Sequence, residues 1–177
     1  MTDTSELPVL AEAGWSRGEE PAPVPGFVVS MFSPLVARLA DRCLTTRHGT
    51  APAPAEVGRR TAVVLVSESG DARSAAHVAG AVDTGARVGP LLFFQSVPNS
   101  IAGHVATRWG LGGPVLCLCP TGDPRAEGMA QARLLIDDGD ADEVLVVCVE
   151  QTVARAAEQA GDGIEGFAFL ASKGESR

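Results

Sequence analysis

Residues 115–149 read VLCLCPTGDPRAEGMAQARLLIDDGDADEVLVVCV, and this stretch decides the fold. Val115–Cys119 is a short apolar run, the mark of a strand buried on both faces. Asp123 is placed to cap a helix and Pro124 to occupy its first turn. Ala126, Met129, Ala130, Leu135 and Ile136 follow at helical spacing, and Gly139 ends the helix. Glu143–Val149 is another buried strand. Strands alternating with helices predict α/β layering and a mostly parallel sheet covered by helices.

The same alternation continues outward. Thr61–Val66 is apolar and β-branched and predicts a buried strand. Asp71 can cap a helix carrying Ala75, Val78 and Val82. Ser33-Pro34 opens a helix with Leu35, Val36, Leu39 and Cys43 on one face. Ser100 starts a short helix with Ile101, Val105 and Trp109, broken by Gly110–Pro114; Ser96 or Asn99 is placed to cap it. Leu91–Asn99 reads as extended and loop-like. Pro8–Ala13 is a weak strand, kept to a sheet edge by its proline. Thr152–Ala160 predicts a short helix and Gly166–Ala171 a last strand. Residues 16–26 and 50–57 are punctuated by Pro, Gly and charge and read as loops. Ser67–Asp71 reads as a turn at the carboxyl end of a strand, without a phosphate-binding glycine pattern.

The 177 residues predict a single domain over 1–177, with tails at 1–6 and 172–177. A net charge of −8 argues against nucleic acid, whose affinity comes from cations on phosphates, and against anionic membranes. No apolar run approaches the roughly 18 residues of a membrane helix, and Met1–Glu6 has no cationic signal character. Four cysteines without a disulfide framework fit a cytoplasmic, reduced chain. Metal binding is not expected, because Cys117, Cys119, Cys148 and His104 lack the paired spacing of zinc sites. No cofactor motif is present. Asp137, Asp138, Asp140, Asp142 and Glu143 form an acidic run that reads as a solvated face.

Four blocks then carry a resemblance. Ser96-Val97-Pro98-Asn99-Ser100-Ile101-Ala102-Gly103-His104, Gly110-Leu111-Gly112-Gly113-Pro114, Gly139-Asp140-Ala141-Asp142 and, after a strand, Glu150 occur in the order found in β-ketoacyl synthases. Residues 58–172 resemble the N-terminal half of these condensing enzymes, closest to the ketosynthase-like N-terminal domain group. The resemblance implies one half of a thiolase-type fold, in which the active site forms between two halves. Only the first half is expected here. The compositional bias to Ala, Gly and Arg over Lys suggests a GC-rich bacterial source.

The resemblance also locates the nucleophile. The family's cysteine lies nine residues after the Gly of the Gly-Pro pair, which is Gly122 here; counting back from Gly139 gives the same position. Glycine can make the turn but cannot form a thioester. Asp123 stands where the family usually has a small polar residue and serves as a cap. The family's two catalytic histidines lie in its second half; His48, His77 and His104 all precede Gly122. No catalytic residue is therefore assigned, with Cys119 the weak candidate for a substitute nucleophile. Cys117 and Cys119 share one face of their strand and read as buried, inert thiols. His104 reads as a packed, hydrogen-bonded histidine, and Asn99 as a cap or as a loop residue near a subunit contact.

The helix from Asp123 is apolar on more than one face, through residues that include Met129 and Leu134, so it needs cover on both sides. The resemblance implies that the strand beginning at Val115 crosses the family's dimer interface. The expected partner is thus a second copy or a protein like a ketosynthase or chain length factor, with an acyl carrier protein as a further possibility. The leading expectation is a non-catalytic accessory subunit of a bacterial polyketide or fatty-acyl pathway. The alternatives are an acyl-transfer or thioesterase-like enzyme using Cys119 or partner residues, and an independent homodimeric binding module.

Overall fold

A computed structural model describes residues 7–16, 19–152 and 163–174. The elements in chain order are β1 (Val9–Gly14), α1 (Phe32–His48), α2 (Ala55–Gly58), β2 (Thr61–Val66), α3 (Ala72–Asp83) and α4 (Pro90–Gln95). Then follow α5 (Pro98–Trp109), β3 (Val115–Leu118), α6 (Pro124–Asp137), β4 (Glu143–Thr152) and β5 (Gly163–Ser172). The strands form one sheet in the order β1-β5-β4-β2-β3. β2 lies parallel to both β3 and β4, with Val63 opposite Val115 and Leu145. β5 returns antiparallel to β4 and pairs antiparallel with β1 at the far edge. The parallel half is the one built through helical crossovers; the antiparallel half is built by the closing strand.

Alternation along β2 and β4 divides the core. Val63, Leu65, Leu145, Val147 and Val149 face α1 and α5, where Phe32, Leu35, Leu39, Ile101 and Trp109 cover them. Val64, Val66, Val144 and Val146 face α6, covered by Ala132, Leu135 and Ile136. Gly128 lets α6 lie this close: a Cβ there would stand 2.6 Å from Val146 Cγ1.

Asp71 caps α3, accepting from Ser74 N at 3.1 Å, and Asp123 caps α6, accepting from Ala126 N at 2.7 Å. Five local expectations are corrected. Ser33 is not the α1 cap but lies inside the helix, whose N-cap is Met31 without a side-chain cap, while Ser30 Oγ accepts from Ser33 N at 2.8 Å. Leu91–Gln95 lies in α4 and Pro98-Asn99 in α5, with Ser96-Val97 between them, since Pro90 and Pro98 each occupy a first helical turn. Neither Ser96 nor Asn99 caps α5: Ser96 Oγ donates back to Phe93 O, and α5 has no side-chain cap. Val115–Leu118 is an exposed edge strand, not a buried one. Ser172, assigned to a tail, is the last residue of β5 and pairs with Glu143.

Among the described residues Ala75 and Val82 of α3 are exposed and Val78 is partly buried. The helix expected at Thr152–Ala160 falls on residues outside the described set, except Thr152, which ends β4. Among the described residues no helix is long and apolar enough to cross a membrane.

Candidate functional site: the Gly122 turn and the adjoining cleft

Gly122 lies in the short connection from β3 to α6, one residue before the cap Asp123. Two contacts shape the turn. Glu127, on the first turn of α6, accepts from Thr121 N at 2.9 Å and from Thr121 Oγ1 at 3.0 Å. Arg125 pairs with Glu12 of β1 and lies over the Phe169 ring at 4.9 Å, anchoring the start of α6 to the sheet. A Cβ at Gly122 would meet Glu127 Oε1 at 3.2 Å, a flexible neighbour. The position is exposed. A helix N-terminus directed at an open turn is where a thiolate would be stabilised, and this turn offers hydrogen in place of a side chain.

Beside it, at the carboxyl ends of β2 and β3, is a cleft of about 350 Å³. Its lining includes Ser67, Ser69, Asp71, Pro98, Cys117 and Cys119. Glu150, at the end of β4, fixes the rim. Its carboxylate accepts from Glu68 N at 2.5 Å, from Ser69 N at 3.3 Å and from Ser69 Oγ at 3.0 Å. The neighbouring Gln151 Oε1 accepts from Arg73 N at 3.3 Å. Glu150 is thus a positioning residue for the Ser67–Asp71 turn. Sequence reading found the residue but not this role, because Glu68 is 82 positions away and nothing local links them.

The structure corrects the reading of the paired thiols. Cys117 and Cys119 are both exposed, on the strand that ends the sheet among the described residues. Cys119 Sγ lies 3.9 Å from Glu68 O, and partial burial pushes the Cys117 thiol up. Cys43 and Cys148 are buried, and desolvation raises both to about 12. Iodoacetamide at neutral pH is therefore expected to label Cys117 and Cys119 and spare Cys43 and Cys148 in the native protein. Mass mapping that finds Cys43 labelled at a comparable rate would contradict this packing.

The two buried thiols also give a pH dependence. Their native values lie above the ordinary 9.0, so their contribution to stability is complete below about pH 9. It is lost as pH rises toward about 12, by roughly 1.4 kcal/mol per pH unit per thiol. Denaturant midpoints are expected to fall over that range, with the fall reduced in Cys148→Ala.

The remaining candidates scatter. His104, on α5, is half-buried and meets Phe27 edge-on at 6.0 Å. Asn99 is exposed on the first turn of α5. Met129 packs at the margin of the α6 core. Val115 is 40% exposed on the open edge. Glu143 is buried away from the rest of the acidic run, with its carboxylate Oε2 3.1 Å from His48 Nε2. Among the described residues no cluster of three or more His, Cys, Asp or Glu side chains could hold a metal ion.

Residues 14–162 match the family described as beta-ketoacyl synthase, N-terminal domain. This chain belongs to that family. Solved ketosynthase structures share its fold. One is the ishigamide ketosynthase/chain length factor, with a TM-score of 0.70 and 21% identity over 91% of this chain and 49% of that one. Another is the ketosynthase ApeO in complex with its chain length factor ApeC from Xenorhabdus doucetiae, at 0.62 and 21%, covering 88% and 64%. A third is a type II polyketide synthase acyl-carrier protein in complex with its ketosynthase bound to the hexaketide, at 0.64 and 12%, covering 89% and 52%. The ketosynthase-like chain thus spans about half to just under two thirds of their lengths. No curated protein matches its sequence.

Proposed function

We propose that this ketosynthase-like domain is a non-catalytic accessory subunit of a polyketide or fatty-acyl condensing system. It acts by association with a condensing enzyme or its acyl carrier protein. The observation that carries the reading is Gly122: the turn, the capped helix and the rim clamp are in place around a position with no nucleophile. Within these 177 residues no histidine follows that turn.

Exposed surface supports association. Ala126, Ala130 and Leu134 form an outward stripe along α6, with Leu134 52% exposed. On α4, Leu91 and Phe94 are 74% and 66% exposed. β3 leaves an edge open for pairing with another strand. The structural neighbours include ketosynthases held by a chain length factor and by a carrier protein.

The test is the solution mass by light scattering, alone and after co-expression with a condensing enzyme encoded beside it. A stable complex supports the accessory reading. A homodimer that ignores the synthase favours an independent binding module. A monomer under both conditions refutes the role.

Gly122→Cys is expected to fold, since its Cβ meets only a movable carboxylate, and to show no condensation activity. Acyl-chain elongation by that variant would overturn the argument from the missing histidines and leave Gly122 alone as what silences the turn. A second reading rests on the exposed thiol of Cys119 above the cleft: acyl transfer through that sulfur. Cys119→Ser separates the two, because only the enzymatic reading loses activity with it.

A further inference from the structure

We infer that two copies of this chain are joined by peroxide through a Cys117–Cys117 disulfide across their paired β3 edges. Among the described residues β3 is bonded on one side alone, to β2. The bonds from Val63 N to Pro114 O and from Ser67 N to Leu118 O turn the backbone groups of residues 114, 116 and 118 toward β2. Val115, Cys117 and Cys119 therefore turn theirs to the open edge.

That edge lacks the devices that keep natural edges apart. No charged side chain occurs from residue 110 to 122. Pro114 and Pro120 both stand outside β3, and its register against β2 runs without a shift. In a chain of net charge −8, two copies meet along this neutral run without setting like charges opposite each other. The pairing is antiparallel about a two-fold axis, as in most homodimers. An axis through Cys117, the middle of Val115–Cys119, pairs all three outward residues. Val115 then faces the partner's Cys119, and Cys117 faces the partner's Cys117. Moving the axis to Leu116 or Leu118 leaves one outward residue opposite a loop beyond the strand.

Outward residues directly opposite in such a pair stand about 5.5 Å apart at Cα. Disulfides span about 4.4–6.8 Å. Cys117 is exposed and lines the cleft of about 350 Å³, so core packing does not hold its sulfur back. Within one chain Cys117 and Cys119 are two strand steps apart, about 6.6 Å, near the outer limit for a bond. The bridge between copies is thus the favoured one. Its Cβ atoms lie wider than the usual disulfide spacing, so the bond is strained and easily reduced, as a reversible link requires.

The step balances with one hydrogen peroxide. The Cys117 thiolate of one copy attacks a peroxide oxygen; the O–O bond breaks, a sulfenic acid forms and the first water leaves. The partner's Cys117 thiolate attacks that sulfur; the S–S bond forms, the S–O bond breaks and the second water leaves. Two thiols are oxidised and one peroxide is reduced to two waters. The covalent pair leaves neither β3 edge free.

This inference does not rest on the accessory role proposed above, because the chain is tested alone. The full chain is purified reduced and treated with hydrogen peroxide; non-reducing electrophoresis and intact mass read the product. Wild type and Cys119→Ser are expected to give a covalent dimer two hydrogens lighter than two chains, reversed by dithiothreitol. Cys117→Ser is expected to lose that dimer while keeping the exposed Cys119 thiol, which controls for random collision of surface thiols. Both side chains are exposed, so both variants are expected to fold, and circular dichroism checks this. The inference is overturned if wild type gives no covalent dimer, if Cys117→Ser cross-links as well as wild type, or if Cys119→Ser abolishes the link. A monomer two hydrogens lighter, with Cys117 bonded to Cys119, overturns it as well.

Discussion

Trp109→Ala is expected to lower the stability of this domain by about 3–5 kcal/mol, the range for emptying a buried aromatic site. Trp109 is 1% exposed and ends α5 inside the larger core, with Leu35, Leu39, Ile101 and Val105 in the same cluster. Its indole also donates to Asp41 at 2.7 Å, so the substitution removes one of the two bonds that carboxylate makes. α5 and α1 share the larger core on one face of the sheet, so a void at Trp109 loosens both. Natural domains hold only about 5–15 kcal/mol in total, which leaves this variant marginal. Thermal unfolding checks it: a midpoint lowered by less than about 5 °C would show that Trp109 does not anchor α5.

Cys117→Pro is expected to fold and to weaken any strand-mediated association by at least about ten-fold, through the loss of edge hydrogen bonds. The argument is one of alternation. Val63 N donates to Pro114 O at 2.9 Å and Ser67 N to Leu118 O at 3.0 Å, so the even-numbered positions of β3 face β2. In a parallel ladder the intervening residues point their N–H and C=O groups the other way. The donor of Cys117 therefore faces the open edge. Proline there removes a hydrogen bond only from an added strand, and its ring blocks that strand's approach. Light scattering and co-purification of the variant with its partner check this. An unchanged complex in a variant with native stability would move the interface away from β3, to α4 or the outer stripe of α6.

Local chemistry made much of the fold readable in advance. β2 is Thr61–Val66 as its β-branched run requires, and α6 starts at the Asp123-Pro124 pair because cap and first turn are both written there. The helix at Leu91–Gln95 was missed because its four apolar residues carry no period; the prolines that start α4 and α5 held the information. Glu143 was read as one acid in a run of acids. Its partner, His48, lies 95 residues away, so burial and pairing could not be seen from its neighbours.

The site divides along the same line. Sequence alone carried the family blocks, and residue counting from them makes Gly122 the expected nucleophile position, since both are properties of one dimension. It also fixed the capped helix behind that turn, because capping is settled within about four residues. Tertiary structure decided exposure. Val115–Leu118 and Val144–Val149 are equally apolar as text, yet β4 sits between two strands and β3 has one neighbour. That placement turns two apparently buried thiols outward and sets Glu150 as the clamp of a distant turn. Burial depends on what lies beside an element in space, and strand order is set by long-range packing that no local run of residues encodes.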